Sequence, residues 1–184
     1  MNNHSDMRLL DFPEVRQATD YTCGCAALQG VLYYYGIEYR EDQLAKKLHT
    51  TQADGTEPRA IADFATGEGF TVDMRAMSIA DIKRYIDKDV PVIVDIQAWS
   101  GHRHSDYRHD YVDGHYVVVI GYDDKKLIFE DPSLLNRGYL LFSEFLERWH
   151  DIGNGPHAAH ISHRGIAIYG KPPRFHTSTI KHVR

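Results

Sequence analysis

Cysteine is scarce in this 184-residue chain: Cys23 and Cys25 are the whole complement, with one residue between them. That spacing cannot tie distant elements together, so a disulfide framework is excluded. No long lysine or arginine run occurs, and the net charge is −5 with histidine neutral. A nucleic-acid or anionic-membrane partner is therefore not expected. No apolar run approaches the length needed to span a bilayer. The opening Met1-Asn2-Asn3-His4-Ser5-Asp6-Met7-Arg8 lacks the apolar core of a signal peptide, so a soluble, cytoplasmic protein in a reducing compartment is expected. There is no internal repeat, low-complexity linker or domain boundary. A composition of 42% apolar and 26% charged residues is that of an ordinary folded protein, which points to one domain over 1–184, with its core at about 12–170 and a loose arm and tail.

What the chain does have is a dense stretch at Gln17-Ala18-Thr19-Asp20-Tyr21-Thr22-Cys23-Gly24-Cys25-Ala26-Ala27-Leu28. Ala26 to Gln29 favours helix, and Thr22 is a suitable N-cap. Apolar residues at Ala27, Leu28, Val31, Leu32 and Tyr34 predict a helix buried along much of its surface. Cys23 then sits in the first turn, where unpaired N–H groups and the positive end of the helix dipole favour the thiolate. Gln17, six residues upstream, can turn back and aim its amide at the same place, as an oxyanion donor must. Cys25 is about 200° further round the helix and is read as a core thiol.

The pattern along the chain predicts helices over 22–35, 41–48 and 57–66, with Thr56 as a further cap, then a strand over 70–75 and a helix over 79–88 capped by Ser78. Strands follow at 92–96, 115–122, 126–130 and 139–142, then a short helix from Ser143 to about His150 and a last strand at 165–169. A helical first half and an antiparallel sheet in the second half make an α+β architecture of two lobes.

A cysteine nucleophile needs a base, and the base needs an orienting group. His115 opens the apolar run Tyr116-Val117-Val118-Val119-Ile120, and Asp131 closes the next strand just before Pro132. Pairing about a turn at Asp123-Asp124 brings His115 within one position of Asp131 at the open end of the hairpin. His115 could then bond Asp131 through one ring nitrogen and offer the other to Cys23, the logic of a Cys-His-Asp triad.

Gln17 spaced six residues from Cys23-Gly24-x-Ala26-Ala27-Leu28, then Gly114-His115-Tyr116-Val117-Val118, then Asp131-Pro132, resembles the C39 family of papain-like cysteine peptidases. The closing Gly165-Ile166-Ala167-Ile168-Tyr169 extends the resemblance to most of the chain, about 12–170. It implies a papain-like fold with Cys23 as nucleophile and His115 as general base and acid. It further implies Asp131 as the orienting group and Gln17 with the Cys23 backbone N–H as the oxyanion hole. The best-known members form the N-terminal part of bacteriocin-exporting ABC transporters and cut leader peptides after a double glycine. No transmembrane segment or nucleotide-binding domain follows here, so a stand-alone peptidase acting on a peptide or protein is expected. Acyl transfer of the phytochelatin-synthase type and a non-catalytic peptide-binding module are the alternatives, the latter opposed by the intact Cys23, His115 and Asp131.

Gly114 permits close backbone approach and is assigned with Trp99 to substrate binding. Trp99 opens a loop over 99–113 containing His102, His104, His109 and three aspartates, which suits a flap beside the cleft. Histidine with carboxylate also suits a divalent metal. The spacings fit no closed motif, Arg103 and Arg108 interrupt, and His157, His160 and His163 offer no better pattern. No metal and no cofactor are assigned. The Tyr33-Tyr34-Tyr35 run is expected to pack the first helix against the sheet.

Overall fold

The computed structural model describes residues 7–101, 106–153, 160–180 and 182–183. The first half is helical: a short strand β1 (Arg8–Leu9) precedes α1 (Cys23–Tyr34), α2 (Glu41–Lys47) and α3 (Pro58–Gly67). Then come β2 (Thr71–Ala76), α4 (Ile79–Ile86), β3 (Val92–Gln97), β4 (Gly114–Tyr122), β5 (Lys126–Glu130) and β6 (Gly138–Leu141). The chain continues through α5 (Phe142–Arg148), β7 (His150–Ile152), β8 (His160–Ser162) and β9 (Arg164–Tyr169). This is the expected α+β arrangement. The sheet runs β2-β9-β3-β4-β5-β6, every pair antiparallel, and β1 takes up Gly121 and Tyr122, the end of β4 that β3 does not reach.

Helix α1 is buried at every position but Tyr33, because it lies between the other helices and β4. Small residues permit this: a Cβ on Gly24 would stand 2.7 Å from the Cβ of Thr56, and one on Gly30 3.0 Å from the ring of Phe12. The helix ends in a Schellman motif, with Ile37 N–H donating to Leu32 O and Gly36 N–H to Tyr33 O, while Gly36 takes φ +80. Of the tyrosine run, Tyr34 and Tyr35 pack inward, the Tyr35 hydroxyl donating to Ile168 O on β9.

Two expected caps are corrected. Thr22 gives α1 no side-chain bond; its hydroxyl donates to Thr19 O and meets the Thr19 hydroxyl, closing the turn before the helix. Thr56 is not the cap of α3, which starts after Glu57; its hydroxyl turns inward to Thr50 and the Cys25 thiol. Ser78 does cap α4, accepting from Asp81 N–H while its own N–H donates to the Asp81 carboxylate. The β4–β5 turn falls at Asp123-Asp124 as expected, with Asp123 N–H donating to Lys126 O. A bulge between Val119 and Gly121 shifts the register of that hairpin. The β7–β8 ribbon is too short to carry a period in the sequence. Beyond Gly170, Arg174 and Phe175 N–H donate to Tyr34 O and hold the chain against the end of α1. Among the described residues no helix is long and apolar enough to cross a membrane.

Glu130 ends β5 in a buried place, accepting Val15 N–H at 3.0 Å. Burial is the main cause that lifts its pKa from the ordinary 4.5 to about 7, against the Val15 amide and Arg137. A carboxyl raised on folding contributes stability that is complete below its unfolded pKa and is lost as pH climbs through about 7. Glu130→Gln should therefore raise Tm over the wild type at pH 8 and leave it near the wild type at pH 5. Calorimetry at the two pH values checks this; an equal shift at both would mean that Glu130 is not the titrating group.

Candidate active site

Cys23 is the first residue of α1, and its side chain reaches a cavity of about 360 Å³ between the helical lobe and the open ends of β3 and β4. His115 is the second residue of β4, paired with Ile96 of β3, and is buried. Asp131 follows β5 directly and is buried beside it. His115 Nε2 lies 2.7 Å from Asp131 Oδ1, and the Cys23 thiol is the other side-chain group that acts on the imidazole. With Nε2 engaged, Nδ1 is the nitrogen left for sulfur.

Asp131 is itself held from two further sides. Ser133 N–H donates to Oδ1 at 2.8 Å, and the Trp99 indole N–H donates to Oδ2 at 3.1 Å. Burial by itself would lower the His115 pKa. The hydrogen bonds and charges of Asp131 and Cys23 outweigh it and lift the value from 6.5 to about 9. At neutral pH the imidazole is then predominantly protonated beside the thiol.

Gln17 reaches the same neighbourhood through its backbone, whose N–H donates to Pro132 O at 3.1 Å. Its side-chain Nε2 donates to Thr19 O at 2.7 Å and its Oε1 accepts the Ser133 hydroxyl at 3.2 Å. One amide hydrogen of Gln17 is thus committed to Thr19, leaving the other. Gly114 lines the Cys23 cavity, where a Cβ would stand 3.2 Å from both carboxylate oxygens of Asp151. Trp99 lies elsewhere, 56% exposed with φ +62, behind Asp131 and lining a second cleft of about 260 Å³ with Tyr107, Leu134 and Tyr139.

His102, His104 and His157 lie outside the described residues. Of the other histidines singled out by sequence, His109 pairs with Asp106 at 2.8 Å, His160 packs edge-on to Tyr111, and His163 stacks on Trp149. Among the described residues no group of three or more His, Cys, Asp or Glu is placed to hold a metal ion. Cys25 is fully buried, its sulfur 3.1 Å from the Thr50 hydroxyl oxygen, and burial pushes its pKa up.

Two carboxyls escaped the reading of the sequence. Asp95, in the middle of β3, and Asp151, on β7, both line the Cys23 cavity and hydrogen-bond one another. Burial, and next the Asp151 charge, hold Asp95 well above the usual carboxylate range; Cys23 acts in the same sense and Arg164 against it. Gln97 fixes the pair from β3, donating to Asp151 Oδ1 at 3.2 Å and accepting Asp113 N–H at 3.0 Å. A signal existed: Asp95 interrupts Val92-Ile93-Val94, a strand buried at every position.

Residues 9–157 match the model of the Peptidase_C39 like family. An uncharacterized protein of Methanothermobacter marburgensis is 30% identical over 120 residues, covering 65% of this chain and 71% of its own. The fold is similar to that of a protein from Bacillus anthracis described as a C39-like peptidase, with TM-score 0.69, 15% identity and coverage of 92% and 100% of the two chains. The peptidase domain of Streptococcus ComA, a bi-functional ABC transporter of a quorum sensing pathway, gives TM-score 0.63 and 24% identity over 84% of this chain and 95% of the other. A double glycine motif protease from an AMS/PCAT transporter, solved with its leader peptide, gives 0.64 and 17% over 89% and 94%.

The imidazole geometry has a direct spectroscopic consequence. By NMR, His115 should titrate near pH 9 in the wild type. In Asp131→Asn it should fall by about one to two pH units, because a hydrogen bond to a charged partner contributes about 1.5–3 kcal/mol. An unchanged titration in that variant would remove Asp131 from its orienting role.

Proposed function

The chain belongs to the Peptidase_C39 like family, and on that premise we propose that it cleaves a peptide or isopeptide bond through a covalent acyl-enzyme formed on Cys23. The observation that carries this reading is the His115–Asp131 hydrogen bond with the Cys23 thiol beside the same imidazole and opening on a cavity. In the proposed reaction the Cys23 thiolate attacks the scissile carbonyl, a C–S bond forms, and the carbonyl oxygen takes the negative charge. The Cys23 backbone N–H and the remaining amide hydrogen of Gln17 are assigned to that oxygen.

His115, protonated beside the thiolate, gives its proton to the leaving amine as the C–N bond breaks. The neutral imidazole then takes a proton from water, whose oxygen attacks the acyl carbon and releases Cys23. Asp131 keeps Nε2 engaged throughout, so that Nδ1 alone exchanges protons with the reaction. A peptide substrate accords with the related double glycine motif protease, which was solved with a leader peptide. The substrate of this chain is proposed no more narrowly than a peptide.

Digestion of a diverse peptide library, read by mass spectrometry, tests the reading. The wild type should release fragments and Cys23→Ala none, whereas Gln17→Ala should keep its fold and lose roughly 10²–10³ in kcat, the usual cost of one oxyanion donor. Cleavage that persists in Cys23→Ala, or Gln17→Ala turnover near the wild type, would overturn the corresponding assignment.

A further inference from the structure

The cavity beside Cys23 is acidic in a way that the cleavage chemistry does not require. Five carboxyls line it, those of Asp20, Asp54, Glu57, Asp95 and Asp151, and among the described residues no lysine, arginine or histidine does. Asp95 is 7% exposed and faces this space; its polar partner among the described residues is the Asp151 carboxyl, itself an acceptor. Two carboxyls can hydrogen-bond only through a proton that one of them retains. Arg164 on β9 acts to lower the Asp95 pKa, yet no ion pair joins it to either group among the described residues. Gln97 donates to Asp151 Oδ1 at 3.2 Å, and the bare backbone of Gly114 leaves room for that carboxylate, so the pair is built into the cavity wall.

We propose that the Asp95–Asp151 pair is a subsite for a cationic N–H group of the substrate, an ammonium, which takes the place of the proton the two carboxyls share. It rests on the reading of Cys23 as the nucleophile, since the subsite places that cation next to the scissile bond. The exchange is balanced: the bound ammonium keeps its N–H bonds and donates them to both carboxylates, and the shared proton leaves to water. The ammonium can come from a lysine side chain or from the α-amine of a peptide. Both offer the same chemistry. A cavity of about 360 Å³ admits either.

Methanethiosulfonates of different charge test the subsite without any peptidase activity. The thiolate attacks the sulfenyl sulfur, an S–S bond forms and methanesulfinate leaves, so the rate at Cys23, mapped by mass spectrometry, reports what the cavity admits. With each rate divided by that for 2-mercaptoethanol, the aminoethyl reagent should outrun the methyl reagent about tenfold or more, within the range that a focused field gives. The sulfonatoethyl reagent should be the slowest of the three. The aminoethyl preference should fall to near unity in Asp95→Asn and in Asp151→Asn, and persist in Asp20→Asn and Glu57→Gln.

Loss of the preference only in the latter two would mean general steering by the rim and overturn the subsite. So would a wild-type ratio near unity, a result that needs no variant to fold. A trimethylammonium reagent as fast as the aminoethyl one would also overturn it, because replacing a proton needs N–H donors. N-acetyl-lysine methylamide and alanine amide, each tried as protectants of Cys23, tell the side-chain source from the α-amine, and protection by neither counts against the site. If the reagent preference holds while no peptide is cut, the peptidase reading fails and the subsite stands; the reverse pattern separates them the other way.

Discussion

The 2.7 Å bond between His115 and Asp131 closes the open mouth of the β4–β5 hairpin, and the arrangement of the site depends on it. A buried carboxylate is costly unless its lone pairs are used. Asp131 uses them on three donors from three places: the imidazole on β4, the backbone of Ser133 in the following turn, and the indole of Trp99 at the end of β3. Ser133 in turn holds the Gln17 amide, and Pro132 O accepts the Gln17 backbone N–H. One carboxylate thus ties the segment that leads into α1 to the strand that carries His115. Trp99 belongs to this support and not to the cavity, and it reaches Asp131 from a left-handed backbone position just after β3.

Much of the fold was legible because its signals are local. The turn at Asp123-Asp124 and the apolar run after His115 locate a hairpin, and the hairpin locates Asp131. The bulge at Val119–Gly121 moved the register without separating the two groups, since the chain turns immediately after Asp131, where Leu134 N–H donates to Asp131 O. The caps show the limit of such reading. Thr22 and Thr56 have the right chemistry for an N-cap, but tertiary partners at Thr19, Thr50 and Cys25 take their hydroxyls instead. Asp151 could not be found this way, because it meets Asp95 across 56 residues on a three-residue strand with no pattern of its own. Asp95 could have been found, as the carboxyl in a run of buried aliphatics.

Two kinds of titratable group act on the Cys23 sulfur. The imidazole supplies a positive neighbour to Cys23 on one side, while the carboxyls supply negative ones on the other. The raised pKa of Asp95 lowers that negative charge where the wall is most buried, on β3. The outer carboxyls, nearer solvent, are screened by salt and act at longer range. A positively charged neighbour for the sulfur and an acidic chamber beside it are reconciled by depth.

Cys23 and His115 stand 92 residues apart, on an early helix and a late strand. Translation at about 5–20 residues per second separates their appearance by roughly 5–20 s. During that interval the thiol has left the ribosome without its imidazole or its carboxylate. A polypeptide assembled in this order carries its sulfur alone through its own birth, and the Cys23–His115–Asp131 arrangement is completed only when the sheet forms.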